Sequence, residues 1–316
     1  MIAVQNLTKV FDGQAVVNDV SFSIQKGQTL VLLGTSGSGK TTTLKMLNRL
    51  IEKDGGTILI ENQPVEEFRP HLLRRKIGYV IQQVGLFPHY SIAENIGLVP
   101  VLLQWDKTRI DRRVMELLDL VGLPHQLKDR RPVQLSGGQQ QRVGIARALA
   151  ADPGIILMDE PFGALDPITR RDIRSEFKAL AKSMDKTVVL VTHDVQEAFE
   201  LADHVCLMDH GKVQQIGPAE DLLFSPANNF VEQFFAADYM ELELLTAKLA
   251  DLVPHLPPAN GQADQAFSLP AKMSIKEAME HNRSQEVTVE FDGTHYFIPK
   301  GGLLQLFYAN YKPQPR

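Results

Sequence analysis

The chain has 316 residues, enough for one large domain and a smaller one. A hydrophobic share of 44% and a charged share of 22% are ordinary for a globular protein. The net charge of −5 argues against nucleic acid as the main partner, because that usually shows as a basic excess. Cys206 is the single cysteine, so no internal disulfide can form. It lies in an apolar run and reads as a small core residue in a reducing compartment. No run reaches the roughly 18 apolar residues of a spanning helix. The longest candidate, residues 96–105, is short and contains Pro100. Residues 1–5 lack the basic start of a signal peptide. Service to a membrane is therefore expected to run through a partner.

In chain order, residues 1–30 alternate apolar and polar, which predicts antiparallel strands with one wet face. Residues 29–33 form a continuous apolar run, a buried strand. Gly34-Thr35-Ser36-Gly37-Ser38-Gly39-Lys40-Thr41 then fits the phosphate-binding pattern G-x-x-x-x-G-K-[ST]. Gly34, Gly37 and Gly39 let the backbone curl so that its N–H groups point inward. A helix predicted over residues 41–52 opens at this loop and offers the positive end of its dipole. Lys40 adds a full charge against β- and γ-phosphates, and Thr41 offers a hydroxyl to Mg²⁺. Leu44, Leu47, Leu50 and Ile51 mark the buried side of that helix, which is expected to stop at Gly55-Gly56. Residues 57–60 and 77–81 read as further strands.

From residue 91 to 123 the period turns helical, with Val114, Leu117, Leu118 and Val121 on one face. Leu135-Ser136-Gly137-Gly138-Gln139 leads into a helix over residues 139–150, with Ser136 as its cap. The Ser136 hydroxyl and the glycine amides form a second anion site. One phosphate loop already serves one nucleotide, so this second site is read as facing the ATP of another subunit. A buried strand at 155–158 ends in Asp159 and Glu160. Asp159 is placed to hold the Mg²⁺ shell, and Glu160 to activate the attacking water. A further buried strand, 187–191, runs into Thr192-His193-Asp194, where His193 can contact a γ-phosphate and steady the water. Helices are predicted near 169–184 and 194–202. Strands alternating with helices imply a mostly parallel sheet covered on both faces.

The composition shifts near residue 240. A helix is expected at 238–250 and a Pro-rich linker at 254–261. A small α+β unit follows: helix 274–282, strands 286–291 and 294–298 joined by Asp292-Gly293, and helix 302–309.

With these motifs in order, residues 1–237 resemble an ATP-binding cassette ATPase. The fold class implied is α/β: a P-loop NTPase core with a mostly parallel sheet, an antiparallel β subdomain and an α-helical signature subdomain at about 88–152. The resemblance assigns ATP contacts to residues Gly34, Thr35, Ser36, Gly37, Ser38, Gly39, Lys40, Thr41 and Thr42. It matches Phe11 to the aromatic that stacks on adenine, with a core role as the alternative. Gln82 matches the glutamine that joins Mg²⁺ to the membrane-facing subdomain, with Gln83 as the fallback. Ser136, Gly137, Gly138 and Gln139 meet the nucleotide of the second copy, and Ala164-Leu165-Asp166 matches the loop that crosses the dimer interface. Metal contacts fall to Thr41, Gln82 and Asp159, and catalysis to Glu160 and His193.

Segments 48–52, 78–83, 86–89 and 162–170 look like the ATPase subunit of glycine betaine, carnitine and choline importers. The implied partners are a membrane permease, a second copy of the ATPase and an extracytoplasmic solute-binding protein, with no nucleic acid. The implied place is the cytoplasmic face of the inner membrane. Subunits of that subfamily often end in two cystathionine-β-synthase-type domains. Here 238–267 reads as helix and linker, and 268–316 as a small accessory domain, one degenerate half of such a pair or something unrelated. An ATPase for another solute, an exporter subunit, or a soluble cassette ATPase are the alternatives. For the last, the long coiled coil of DNA-repair relatives and the second cassette of translation relatives are both missing.

Overall fold

The computed structural model describes residues 1–82, 84–163, 165–259 and 266–311. The chain divides into two compact units, Met1–Ile216 and Gly217–Arg316. Residues 217–237, expected to belong with the large domain, thus count with the second unit.

The first unit opens with strands β1 (Ile2–Phe11) and β2 (Gln14–Ile24), which pair antiparallel with Ile2 opposite Ile24 and Val4 opposite Phe22. Strand β3 (Thr29–Gly34) leaves this sheet, and β4 (Gly55–Ile60) and the two-residue β5 (Gln63–Pro64) return to it, giving the order β2-β1-β4-β5. The alternation read in the sequence is the cause: Ile2, Val4, Leu7, Val20 and Phe22 turn inward, while their neighbours face water.

Strands β6 (Ile77–Val80), β7 (Ile155–Asp159), β8 (Thr187–Val191), β9 (His204–Asp209) and β10 (Lys212–Gly217) join β3 in a six-stranded sheet of order β10-β9-β3-β8-β7-β6. The pairs β3–β9, β3–β8, β8–β7 and β7–β6 are all parallel. Strands β7 and β8 are buried at every residue, which is why they read as unbroken apolar runs. Register sets Leu32 and Asp159 on either side of Val191. The loops that leave β3, β7 and β8 therefore emerge side by side at the C-terminal edge of the sheet, where open α/β sheets bind ligands.

Helices Ile92–Leu102, Lys107–Leu120 and Gly137–Leu149 pack on one another. Val114, Leu117 and Leu118 are buried as their spacing predicted. Ser91, Asp106 and Ser136 cap the three N-termini.

The helix after the phosphate loop differs from expectation. It spans Lys40–Leu47, not residues 41–52. Arg49 adopts a left-handed backbone (φ 49°), and its guanidinium donates to the carbonyls of Val65 and Phe68. That tertiary anchor overrides the helical period, and Leu50 is left 45% exposed.

In the second unit, β11 (Phe267–Pro270), β12 (Val287–Phe291) and β13 (Thr294–Ile298) form one sheet in that order. The first pair is parallel and the second antiparallel. Asp292 and Gly293 both have positive φ, as the hairpin signal required. Helices Ile275–Asn282 and Leu303–Asn310 cover the sheet with Ile275, Leu303 and Phe307. Val253 and Leu256 are buried in the same core, so the described part of the expected linker is packed structure. Residues 260 and 261 of that stretch lie outside the described residues.

Candidate functional site

Strand β3 delivers the phosphate loop. Gly39, the residue before the helix, has φ 96°, and a Cβ there would lie 2.5 Å from the Val16 carbonyl oxygen on β2. Only glycine allows both the turn and the approach. Gly39→Ala is expected to lower stability by roughly 1–3 kcal/mol through this strain and to displace the first helical amides. Thermal melting and nucleotide titration of the variant check both effects.

Lys40 is buried apart from 6% of its surface. Its ammonium donates to the carbonyls of Gly34 (2.9 Å) and Thr35 (2.6 Å) and to Ser38 Oγ (3.2 Å). Burial pulls its pKa below the ordinary lysine value, while the carboxylates of Glu160 and Asp159 oppose that shift. The charge is thus held inside the loop against neutral dipoles, ready for an anionic ligand. Gly34, Thr35, Ser36, Gly37 and Ser38 form the loop wall, and Thr41 and Thr42 lie in the first turn of the helix.

Strand β7 delivers the acidic pair. Thr41 Oγ1 donates to Asp159 Oδ1 at 2.8 Å. Burial raises the Asp159 carboxyl, opposed first by that bond. A buried carboxylate beside a hydroxyl is a hard oxygen set, suited to Mg²⁺ that completes its shell with phosphate and water. Among the described residues there is no group of three His, Cys, Asp or Glu side chains that could hold a metal.

Glu160 follows in a left-handed conformation (φ 43°), one that non-glycine residues seldom adopt and that concentrates at functional sites. Its Oε2 accepts from Gln82 Nε2 at 2.8 Å, and its Oε1 lies 3.3 Å from His193 Nδ1. Three residues chosen from separate motifs thus meet at one carboxylate. Gln82 faces Glu160, which leaves its amide oxygen available to an ion. Gln83, its alternative, lies outside the described residues.

Phe11 stands 42% exposed at the tip of the β1–β2 hairpin with Lys9 Nζ 5.2 Å from its ring centre. Val16 of the same hairpin lies against Gly39.

The second anion motif is elsewhere. Ser136 Oγ accepts from the Gln139 N–H, and Gln139 Oε1 accepts from the Ser136 N–H, a reciprocal capping box. A Cβ on Gly137 would meet open space, and one on Gly138 would lie 2.7 Å from the Thr169 methyl. These contacts join the motif to helix Pro167–Ser183 and not to the phosphate loop of the same chain. Asp166 caps that helix through the Thr169 N–H (3.1 Å), and its bonds to Thr169 hold its carboxyl below the usual range. Ala164 lies outside the described residues.

The motifs alone do not reveal a buried polar group that shares a cavity with Glu160. One cavity is lined by Glu160, Gly163, Arg170, Thr192, His193, Asp194 and Glu197. The signal for it was the spacing. Arg170 and Arg174 sit four apart on one face of a helix, and Asp194 caps the next helix with Glu197 three residues on, in its first turn.

Comparison with known proteins gives the same answer from outside the chain. The family model described as ABC transporter matches residues 17–163. The glycine betaine uptake system ATP-binding protein YehX of Escherichia coli is 49% identical over 280 residues, covering 88% of this chain and 89% of that protein. This chain belongs to the ABC transporter family, as an ATP-binding subunit. The choline transport ATP-binding protein OpuBA of Bacillus subtilis is 47% identical over 270 residues, covering 85% of this chain and 71% of that protein. Among solved structures, the dimeric post-hydrolysis state of the ATP-binding cassette MJ0796, bound to ADP and Pi, matches with a TM-score of 0.62 and 34% identity over 69% of this chain and 98% of that one. As an ABC ATPase the chain binds ATP and couples its hydrolysis to transport. Among the described residues no helix is long and apolar enough to cross a membrane.

Proposed function

We propose that this ATP-binding subunit powers uptake of glycine betaine or another quaternary amine through a membrane permease, working as a pair of copies on the cytoplasmic face of the membrane. What supports the solute class is similarity along nearly the whole length to subunits of glycine betaine and choline systems. What supports the engine is Glu160, held between Gln82 and His193 beside Thr41 and Asp159.

The chain's residues would act as follows. Lys40 and the amides of residues 34–42 bind the phosphates, and Phe11 stacks on the base. Thr41, Asp159 and the Gln82 amide oxygen would hold Mg²⁺, which when bound neutralises phosphate charge. Ser136 and Gly138 of the second copy reach the same nucleotide, so binding closes the pair. A shift from 1:99 to 99:1 needs about 5.5 kcal/mol of preference for the closed state. Charge-assisted contacts from both copies at two sites are of that order. Glu160 then takes a proton from the attacking water, and His193 keeps Glu160 oriented.

The permease contact is assigned to residues 82–94. Phe87 and Tyr90 are exposed with ring centres 5.4 Å apart, and buried Asn95 fixes the loop by accepting from the Phe87 N–H and donating to the Phe87 carbonyl. Leu86, beside them, is half-buried. A solute-binding protein outside the membrane is expected to complete the assembly. The C-terminal unit is assigned an accessory role.

The test is uptake of labelled glycine betaine in cells lacking their other betaine importers. Expected is uptake with the wild-type chain and its cognate permease, absent with Glu160→Gln. ATPase activity without uptake of betaine, choline or carnitine overturns the solute class and keeps the engine.

A further inference from the structure

Hydrolysis on this reading requires two loops, one after β7 and one after β8, to hold Glu160 and His193 in fixed relation. Each loop continues into a helix whose cap is an aspartate, Asp166 for Pro167–Ser183 and Asp194 for Val195–Leu201. One side chain touches both loops. Arg170 Nη2 donates to the Leu165 carbonyl (2.8 Å) and reaches that of Gly163 (3.4 Å), just after Glu160. Its Nη1 lies 3.7 Å from Asp194 Oδ2, just after His193.

We infer that Arg170 is a positioning residue for hydrolysis, its guanidinium tying the turn that follows Glu160 to the turn that follows His193. The inference rests on Glu160 as base and His193 as its partner.

Asp194 is a fixed anchor for this tie. Its Oδ1 accepts from the Glu197 N–H at 3.0 Å, and its own N–H donates to Thr192 Oγ1 at 3.0 Å. The Thr192 hydroxyl in turn donates to the buried Glu197 carboxylate. A movement of Asp194 therefore moves Thr192, and with it the next residue, His193. The neighbouring Arg174 separates an ordinary packing role from this one. It also lies 3.7 Å from Asp194 Oδ2, and its Nε is 3.2 Å from Glu200. It joins the same two helices, yet it is Arg170 whose guanidinium reaches the carbonyls of Gly163 and Leu165. Arg170 also lines the cavity that holds the Glu160 and His193 side chains. A planar fork with donors in two directions makes these contacts together, which a lysine ammonium cannot.

The test compares Arg170→Gln, Arg170→Lys and Arg174→Gln in the full-length chain, with Glu160→Gln alongside. For both Arg170 variants the expected result is a fall in kcat of roughly tenfold to a hundredfold, the scale of a small misplacement of reacting groups, with nucleotide Kd within about twofold because the Arg170 guanidinium contacts the Gly163 and Leu165 carbonyls and Asp194, while the phosphate-binding charge is that of Lys40. Arg174→Gln is expected to lower Tm at least as far as Arg170→Gln while keeping a larger kcat. A kcat for Arg170→Lys equal to wild type overturns the inference. So does an equal kcat loss in Arg170→Gln and Arg174→Gln, which would make both arginines general helix ties. Turnover by Glu160→Gln overturns the reading of Glu160 and this inference with it. An inactive Glu160→Gln beside a fully active Arg170→Gln overturns the inference alone.

Discussion

Glu160→Gln is expected to lower ATP turnover by roughly a hundredfold to ten-thousandfold, the range for removal of a positioned general base, and to leave ATP-loaded pairs that do not separate. The substitution is isosteric. The amide oxygen of a glutamine can still accept from Gln82 Nε2, and its amide N–H can donate to an unprotonated His193 Nδ1, so both neighbours keep a partner although the bond to His193 reverses direction. What is lost is the basic oxygen. The left-handed backbone at residue 160 is equally accessible to glutamate and glutamine, so folding is not expected to suffer. Nucleotide binding depends on Lys40 and the loop amides and is retained. Single-turnover hydrolysis and sedimentation with ATP read the two effects separately. Turnover within tenfold of wild type, or a monomer in saturating ATP, would sink the assignment of Glu160 as base.

The large features were legible because they rest on local patterns with a direct physical cause. Strands β7 and β8 are buried on both faces, so they show as apolar runs, and the residues just past them must lie at the ligand edge of a parallel sheet. The phosphate loop needs its glycines and lysine whatever surrounds it. The alternation in β1 and β2 follows from a sheet wet on one face.

What failed to show depends on contacts distant in sequence. The helix after the loop stops at Leu47 because Arg49 is anchored on Val65 and Phe68, while Leu50 and Ile51 continue the apolar period. Prolines 254, 257 and 258 announced broken backbone, and the backbone is broken there, but a proline says nothing about burial. Val253 and Leu256 are core residues all the same. Strand β11 has four residues and ends at Pro270, too short to show a period, and it exists because β12 offers a free edge. The fork of Arg170 is a tertiary arrangement of the same kind. In the sequence it is one arginine on a charged helix.

Lys40→Ala is expected to abolish tight ATP binding while leaving the nucleotide-free fold intact. The ammonium is buried and makes its three bonds to two carbonyls and a hydroxyl. Desolvation already lowers its pKa, so the folded chain holds this charge at a cost. The sign follows from that shift. A base whose folded pKa lies below its unfolded value favours the unfolded chain while both are protonated, and the penalty fades as pH rises toward the unfolded value. Removing the charge relieves the penalty at neutral pH and offsets the loss of three modest bonds, so the variant without nucleotide is expected to melt within a few degrees of wild type. With nucleotide the two diverge. Losing a buried charged partner of a phosphate costs about 2–5 kcal/mol, roughly thirtyfold to several-thousandfold in Kd. Ligand at about a hundred times Kd stabilises a protein by about 2.7 kcal/mol, so ATP should raise the wild-type melting temperature clearly and leave that of Lys40→Ala nearly unmoved. Melting curves with and without ATP measure both at once. An undiminished ATP shift in the variant would show that the loop amides alone hold the phosphates, and a large loss of stability without nucleotide would show that Lys40 serves the fold before it serves the ligand.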